Sequence, residues 1–485
     1  MITDVKELWA QYQACDNVMR MEGINTDTEQ AYRFFEGDQW YGLESGGEQM
    51  PVYNFISPII KYKTAMVAMN NISINYSAPT ASKYVGKACA KLSKLALAKW
   101  ERLKMDSKCW DIIKASMIAG DAYAYFYNGD GDCQVIDRTD IMFADESEPD
   151  ISKQSYIFIK ERLPVAQIRE QAKQNGVKNV GDIVDDGEGD GKCTGVLKLE
   201  LKDGDLYYTR FTRSVIYQPT RVIKNLGVYP VAAFVCSPKR SSARGVGEVL
   251  PVIPNQIEVN RNLARRLLNA KLTAYSRLVY AADRITNPKT LAEVGTAIEV
   301  DGGGVSSIKD AVTYLTPSSM SPDAKILSDE LLTISKELAG AGDAALGNID
   351  PTQASGSAII AVRDQSALPL NEQTARFKQF CEDIAKIWYR LWAVYGESGI
   401  ELEGGETISG ALLLKYEPDI RVDISNTSPF SKYAREQAIE RLFKMGQITF
   451  EEYVELLDDD SSVPKAKLEH IIKQRGGVKD GNIKN

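Results

Sequence analysis

Histidine is almost missing from this chain: of its 485 residues only His470 carries an imidazole, close to the C-terminus in a segment whose pattern is helical and solvated. Ser-His-Asp and Cys-His catalysis need an imidazole in the core of a fold, zincin sites need two at helical spacing, and most catalytic zinc sites need at least one. His470 is read as an exposed helix residue, and those chemistries are set aside. No GxxxxGK[ST] loop occurs, so the backbone cradle and lysine with which P-loop motors hold ATP phosphates are missing, and the chain is not expected to be a motor itself. The cysteines Cys15, Cys89, Cys109, Cys133, Cys193, Cys236 and Cys381 stand singly, seven in all, with no CxxC pair. They read as reduced, cytosolic thiols and neither as a disulfide frame nor as a zinc site. No apolar run approaches the roughly 18–20 residues that span a bilayer; the longest, at 231–235, lies between Pro230 and Pro238. Asp4 and Glu7 stand where a secretory leader would carry basic residues, so a soluble, unsecreted protein is expected.

Positive charge is also in short supply. Lys and Arg total 58 against 66 Asp and Glu, a net charge of -8 and a pI near 5.2, which excludes a protein that coats nucleic acid over its whole surface. Any contact with DNA must be local. With 44% hydrophobic and 26% charged residues the composition is that of a folded globular chain, long enough for about three domain equivalents of ~150 residues. Two acidic stretches invite a metal test. Asp186, Glu188, Asp190 and Gly191 imitate the first half of a calcium loop, in a run that also holds Asp182 and Asp185, but Leu197 stands where the bidentate Glu belongs. Asn128, Asp130 and Asp132 lack the required glycine, having Cys133 in its place. Both read as solvated loops or hairpin tips, with no metal site and no cofactor expected.

Periodicity gives an α+β chain. Helical patterns run over 29–35, 53–70, 82–104 and 108–119, the first stopping at Gly37. At 122–136 the period switches to two, with Tyr123, Tyr125 and Tyr127 alternating before a turn at 128–132, which predicts a hairpin. Strands follow at 156–160, 195–201, 206–212 and 215–218, interrupted by a helix at 165–174 after Pro164. A long helix at 254–274 carries Arg261, Arg265, Arg266 and Lys271 with Glu258 as its only acid. Arg261 and Arg265 are one turn apart and share a face; that face either pairs with acids of a neighbour or meets a DNA backbone. Short strands at 277–282, 297–300 and 312–315 surround a glycine run, and a helix follows at 322–339. A glycine- and alanine-rich stretch at 340–348 precedes a helical run over about 356–395, in which Pro369 should bend or break the helix. Helices at 431–445 and 464–475 close the chain, with a Thr449/Glu452 capping box between them and a polar end expected to be disordered.

Four strings stand in a telling order. FFEGDQW (34–40) resembles a Y-x-G-D-Q-W-like element, and Asn54 then opens a helix. LPVIPNQIEVNRNLARRLL (250–268) resembles the start of a stem helix, with a proline followed by Asn260. QASGSAI (353–359) resembles the opening of a long kinked helix that has Leu368, Pro369 and Leu370 downstream, and KMGQITFEEYVELL (444–457) resembles the helix pair after it. In this order, over most of the chain, they resemble the portal, or head-to-tail connector, proteins of tailed bacteriophages, of the kind found in long-tailed phages of Gram-positive hosts. The resemblance implies a portal fold: a wing at 1–250, helical and then mixed α/β; a first stem helix at 251–276; a small α/β clip at 277–321; a second stem helix at 322–340; a tunnel loop at 341–355. The kinked helix at 356–397, return strands of the wing at 398–430, a helical crown at 431–475 and a tail at 476–485 complete it.

The resemblance further implies a homo-oligomer, a dodecameric ring at one capsid vertex of the virion, assembled in the bacterial cytoplasm. Double-stranded DNA would pass through it during packaging and ejection, and it would dock the terminase large subunit, the capsid or scaffolding protein and head-tail adaptors, with no membrane. No enzymatic activity is implied, and the missing phosphate loop agrees with a separate ATPase doing the pumping. A net negative conduit with few cations would let DNA slide, because each phosphate neutralised adds affinity through counterion release. Arg261, Arg265, Arg266 and Lys271, and Gly342, Asp343, Gly347 and Asn348 of the loop, are the candidates for the DNA channel. A different virion protein of tail or baseplate, or a DNA-processing enzyme using carboxylate-bound metal, remain the alternatives.

Overall fold

The chain starts with a helix because Asp4 accepts a hydrogen bond from the Lys6 amide and caps α1 (Val5–Met21), in which Leu8, Tyr12, Cys15 and Met19 recur every three or four residues. With Ile24 of α2 (Ile24–Glu36) that stripe packs on Met142, Phe158, Val196 and Phe211. These four belong to an antiparallel sheet of order β4-β5-β6-β7-β8, comprising β4 (Ile141–Phe143), β5 (Ile157–Pro164), β6 (Lys192–Lys202), β7 (Asp205–Phe211) and β8 (Ile216–Ile223). Side chains alternate across a strand, so the neighbours Ile157, Ile159, Leu197 and Leu199 point the other way, into the main core. The helix α6 (Val165–Gln174) seals Ile168 and Ala172 over Cys193, Val215 and Tyr217.

The computed structural model describes residues 4–42, 50–68, 70–78, 83–129, 131–187, 189–274, 277–283, 285–287, 289, 299, 312–315, 323–340, 368–396, 400–401, 407–415, 418–426, 437, 439–457 and 468. A second sheet has the order β3-β2-β9, with β2 (Asp121–Tyr127) central between β3 (Asp132–Ile136) and β9 (Val231–Val235). The first six residues of β2 are all buried, because both faces are covered. Phe126 and Phe234 meet Trp388, Phe377 and Phe380 of the helix Asn371–Tyr395, whereas Tyr123 meets Phe143 of the first sheet. Three further helices, α3 (Ile56–Ala68), α4 (Lys83–Arg102) and α5 (Met105–Ala119), add Ile59, Ile60, Leu92, Ile112 and Ile113 to the same core.

Beyond β9 come α7 (Ile253–Ala274), β10 (Arg277–Tyr280), β11 (Val312–Leu315) and α8 (Asp323–Leu338). The helix Asn371–Tyr395 is α9; β12 (Ile400–Glu401), β13 (Thr407–Ile408), α10 (Gly410–Lys415), β14 (Asp419–Asn426) and α11 (Phe450–Leu456) follow. The strand β14 returns to pair antiparallel with β1 (Asn70–Ser77), from Asn70 opposite Asn426 to Ser77 opposite Asp419.

The fold is α+β, as periodicity predicts. The hairpin falls at 121–136 and the helix after Pro164 at Val165–Gln174. Three boundaries differ. The helix expected over 53–70 ends at Ala68 and gives way to β1. The helix expected to reach residue 104 ends at Arg102, because Lys104 takes a left-handed φ of 51° and starts α5 three residues earlier than its pattern implied. The strand expected over 215–218 runs to Ile223, with an irregularity opposite Tyr208 and Arg210. The strand expected at 297–300 and the helix at 464–475, with His470, lie outside the described residues save for 299 and 468.

Candidate nucleic-acid interface

The root of α7 is a polar knot inside an apolar body. Gln256, fully buried, donates from Nε2 to the Tyr53 carbonyl at 2.7 Å and accepts from the Phe55 amide at 3.2 Å. Asn260, 2% exposed, accepts from the Tyr53 amide at 3.0 Å and donates to Gln39 Oε1. Gln39 in turn donates to the Phe34 carbonyl, and Asn54 donates to the Phe34 and Phe35 carbonyls while accepting from the Ser57 amide. Residues 34–40, Asn54 and Asn260, which carry two of the four strings, are therefore one cluster across some 200 positions of sequence. Buried amides of this kind are stable only when every donor and acceptor is matched, and here they fix where α7 leaves the body.

From that root the helix runs outward. Ile253, Val259 and Asn262 are buried, whereas Arg261, Arg265, Leu267, Leu268 and Lys271 are exposed. Beside it lies α8, joined through Asn255 Nδ2 donating to Ser335 Oγ at 2.9 Å, and α8 exposes Ile326, Leu327, Ile334 and Leu338. The strands β10 and β11, between the two helices in sequence, pair from Arg277 opposite Leu315 to Tyr280 opposite Val312. Of the four candidate cations, Arg261 and Arg265 lie on the exposed side, Arg266 is half-buried, and Lys271 is exposed near the C-terminal end of α7. Arg261 pairs with Glu258 of its own helix at 2.7 Å, both side chains about half exposed, a contact worth little in water. Gly342, Asp343, Gly347 and Asn348 lie outside the described residues. Pro369 sits in a 3-10 turn, Leu368–Leu370, directly before α9. Gly340, at φ +66°, ends α8 so close by that a Cβ there would sit 3.7 Å from Pro369 Cβ. The residues flanking 341–367 are thus spatial neighbours.

Sequence reasoning missed the clamp that holds the approach to α7. Arg244, 1% exposed, donates from Nε and Nη2 to both oxygens of Glu146 at 2.8 Å and from Nη1 and Nη2 to the Arg138 and Ile141 carbonyls; Asp121 lies 3.4 Å away. Burial alone would lower the Arg244 pKa, but the facing Tyr123, Glu146 and Asp121 outweigh it and raise it, so the guanidinium stays charged. Arg138 also faces Asp121 and donates to the Ala119 carbonyl. The backbone closes the clamp: a Cβ on Gly245 would meet the Gly120 oxygen at 2.3 Å and one on Gly247 the Ile118 oxygen at 2.2 Å. Glu248 donates its amide to Met117 and takes an ion pair from Lys63 at 2.8 Å. The available signal was the string Ser242-Ala243-Arg244-Gly245-Val246-Gly247, in which two glycines at alternate positions follow an arginine.

The described residues of the acidic stretches, among which Asp130 and Glu188 do not count, make turns. Asp185 accepts from the Gly187 amide, Asp190 from that of Lys192, and Asp186 from the Thr194 amide and hydroxyl, while Asp190 also pairs with Arg162. At the other tip Asn128 has φ +61° and donates to Asp132. Among the described residues no group of three or more His, Cys, Asp or Glu side chains could hold a metal ion. No helix among them is long and apolar enough to cross a membrane, and all seven cysteines are buried and unbridged.

No family model matches the chain, and no curated protein does. Among solved structures it is similar to a chain of the "virion of native gene transfer agent (GTA) particle", at 10% identity over 89% of this chain and 94% of that one, with a TM-score of 0.40.

Proposed function

We propose that the chain is a portal subunit: a dodecameric ring at one capsid vertex, through which double-stranded DNA is packaged and ejected, and on which terminase and head-tail adaptors dock. In this reading it is a virion structural protein and not an enzyme. The observation that carries it is the α7–α8 pair. Its root is a buried amide knot built from the strings that resemble portal proteins. Along its length the pair exposes Leu267, Leu268, Ile326, Leu327, Ile334 and Leu338, each 41% or more accessible. A monomer gains nothing by showing water that much apolar side chain on two adjoining helices; neighbouring copies around an axis would cover it. Arg261 and Arg265 then face the lumen or the next subunit, and the neighbouring positions of Gly340 and Pro369 suit a tunnel loop at 341–355 within a segment that leaves and re-enters at one place.

Replacing both Leu268 and Ile334 by Glu tests the reading. The assembled species is expected to fall to monomer in light scattering, because two carboxylates per subunit would have to be buried at a cost of several kcal/mol. Circular dichroism is expected to keep its wild-type form, since both residues are solvent-facing in the single chain. Unchanged assembly of the double variant would contradict the proposal.

A further inference from the structure

A cavity of about 500 Å³ opens between the two sheets, and none of its lining residues belongs to the root of α7. That volume is within the ~300–1,000 Å³ of small-molecule sites. Three cross-strand pairs make its floor in a row: Leu206 opposite Ile223, Tyr208 opposite Arg221, and Arg210 opposite Gln218. The floor thus runs from apolar, through aromatic, to cationic and amide. The facing wall is aromatic. Tyr125 and Tyr127 stack at 5.8 Å between centroids with 26° between planes, and Tyr395 from the end of α9 stands beside them.

The charge of the lining is one-sided. Two guanidiniums line the cavity and no carboxylate does; Arg210 is already engaged, by Glu161 at 3.6 Å and by the Tyr125 and Tyr217 hydroxyls, which leaves Arg221 as the open one. Arg221 donates to Asn175 Oδ1 from a single nitrogen, which leaves most of its five donors open. No hydrogen bond among the described residues uses the side-chain amides of Gln171 and Gln174 at the rim or of Gln218 in the floor, although all three line the space. Flat aromatic walls take the faces of a planar ring, amides match the donor-acceptor edges of a base, and a guanidinium fork matches phosphate. An acidic peptide would use the guanidiniums but would leave the tyrosine walls and the amide rim without a match.

The geometry points to a nucleotide site: a base against the Tyr127, Tyr208 and Tyr395 rings, its edge read by the glutamines, and its phosphate held by Arg221. The site does not rest on the portal reading. Isothermal titration of the full chain tests it, with AMP and CMP as ligands, and adenosine, inorganic phosphate and a glutamate-rich hexapeptide as controls. The nucleotides are expected to bind at least about tenfold tighter than adenosine or phosphate. Arg221→Gln and Tyr395→Ala are each expected to weaken them at least about tenfold with the melting temperature held, as both side chains are solvent-exposed. A short oligodeoxyadenylate competing with AMP would identify the source as a nucleic-acid strand, and failure to compete would identify free nucleotide. Absence of nucleotide binding at millimolar concentration, tighter binding of the hexapeptide, or unchanged affinity in both variants would overturn the assignment.

Discussion

Arg244 and Asp383 show at the level of single residues how burial decides what a charge does. Arg244 keeps its charge because Glu146 and Asp121 meet it within the core, and an ion triad of this sort is costly to leave half-made. Asp383 has no such partner. It lies on α9 beside Lys386 and Arg376, with Asp150 and Glu382 adding negative charge. Burial raises its pKa from the ordinary 3.8 to about 6, against the opposing hydrogen bond from Gln379 and the charge of Lys386. The folded chain then holds more protons than the unfolded one between those two values, so this residue's contribution to stability falls as pH rises from about 4 to about 6. Asp383→Asn is expected to stabilise the protein above pH 6 by about 1 kcal/mol, a value reduced from the full linkage energy because the carboxylate is partly solvated. Below pH 4 the gain should vanish. Thermal melts of both proteins across pH 4–8 check it, and a gain of the same size at every pH would be inconsistent with this origin. Neither role was legible in sequence: Arg244 finds its partners about 100 and 120 positions away, and no local pattern marks an arginine that is to be buried.

Among the elements, those whose neighbours in sequence are also neighbours in space were readable. The hairpin of β2 and β3 and the helix α6 follow from alternation, from the turn at Asn128 and from Pro164. The strand β1 was not, because Asn70–Ser77 is rich in asparagine and serine and earns its ladder only from β14, at the far end of the chain. The root of α7 falls between these cases. Its strings were recognisable, but what they do there, one amide knot linking residues 39, 53, 55, 256 and 260, is visible only when folded. Asn260→Ala would leave the part-buried Tyr53 amide and the buried Gln39 oxygen without their partner, at up to about 1–3 kcal/mol for each group. A fall of several degrees in the melting temperature is expected, along with loss of assembly. Arg265→Ala on the exposed side of α7 should leave the melt unchanged, and equal effects of the two substitutions would show that the knot holds nothing in place.

At the scale of the whole molecule, two sheets and the crossing helix α9 form one continuous core that includes Trp388, Phe377 and Phe234. The pair α7 and α8 grows from its edge with apolar side chains turned to solvent. The acidic total is compatible with DNA passing by without being held, since affinity for a backbone rises with each cation offered to it, and the described cations on the outer side of α7 are few. The portal reading turns on whether copies of the chain close around an axis. Native mass spectrometry of the purified full-length protein, set beside negative-stain class averages of the same sample, measures that directly. A closed ring is expected, dodecameric in the capsid setting, with an axial channel wide enough for duplex DNA; a monodisperse monomer or dimer at every concentration tested would contradict the portal reading.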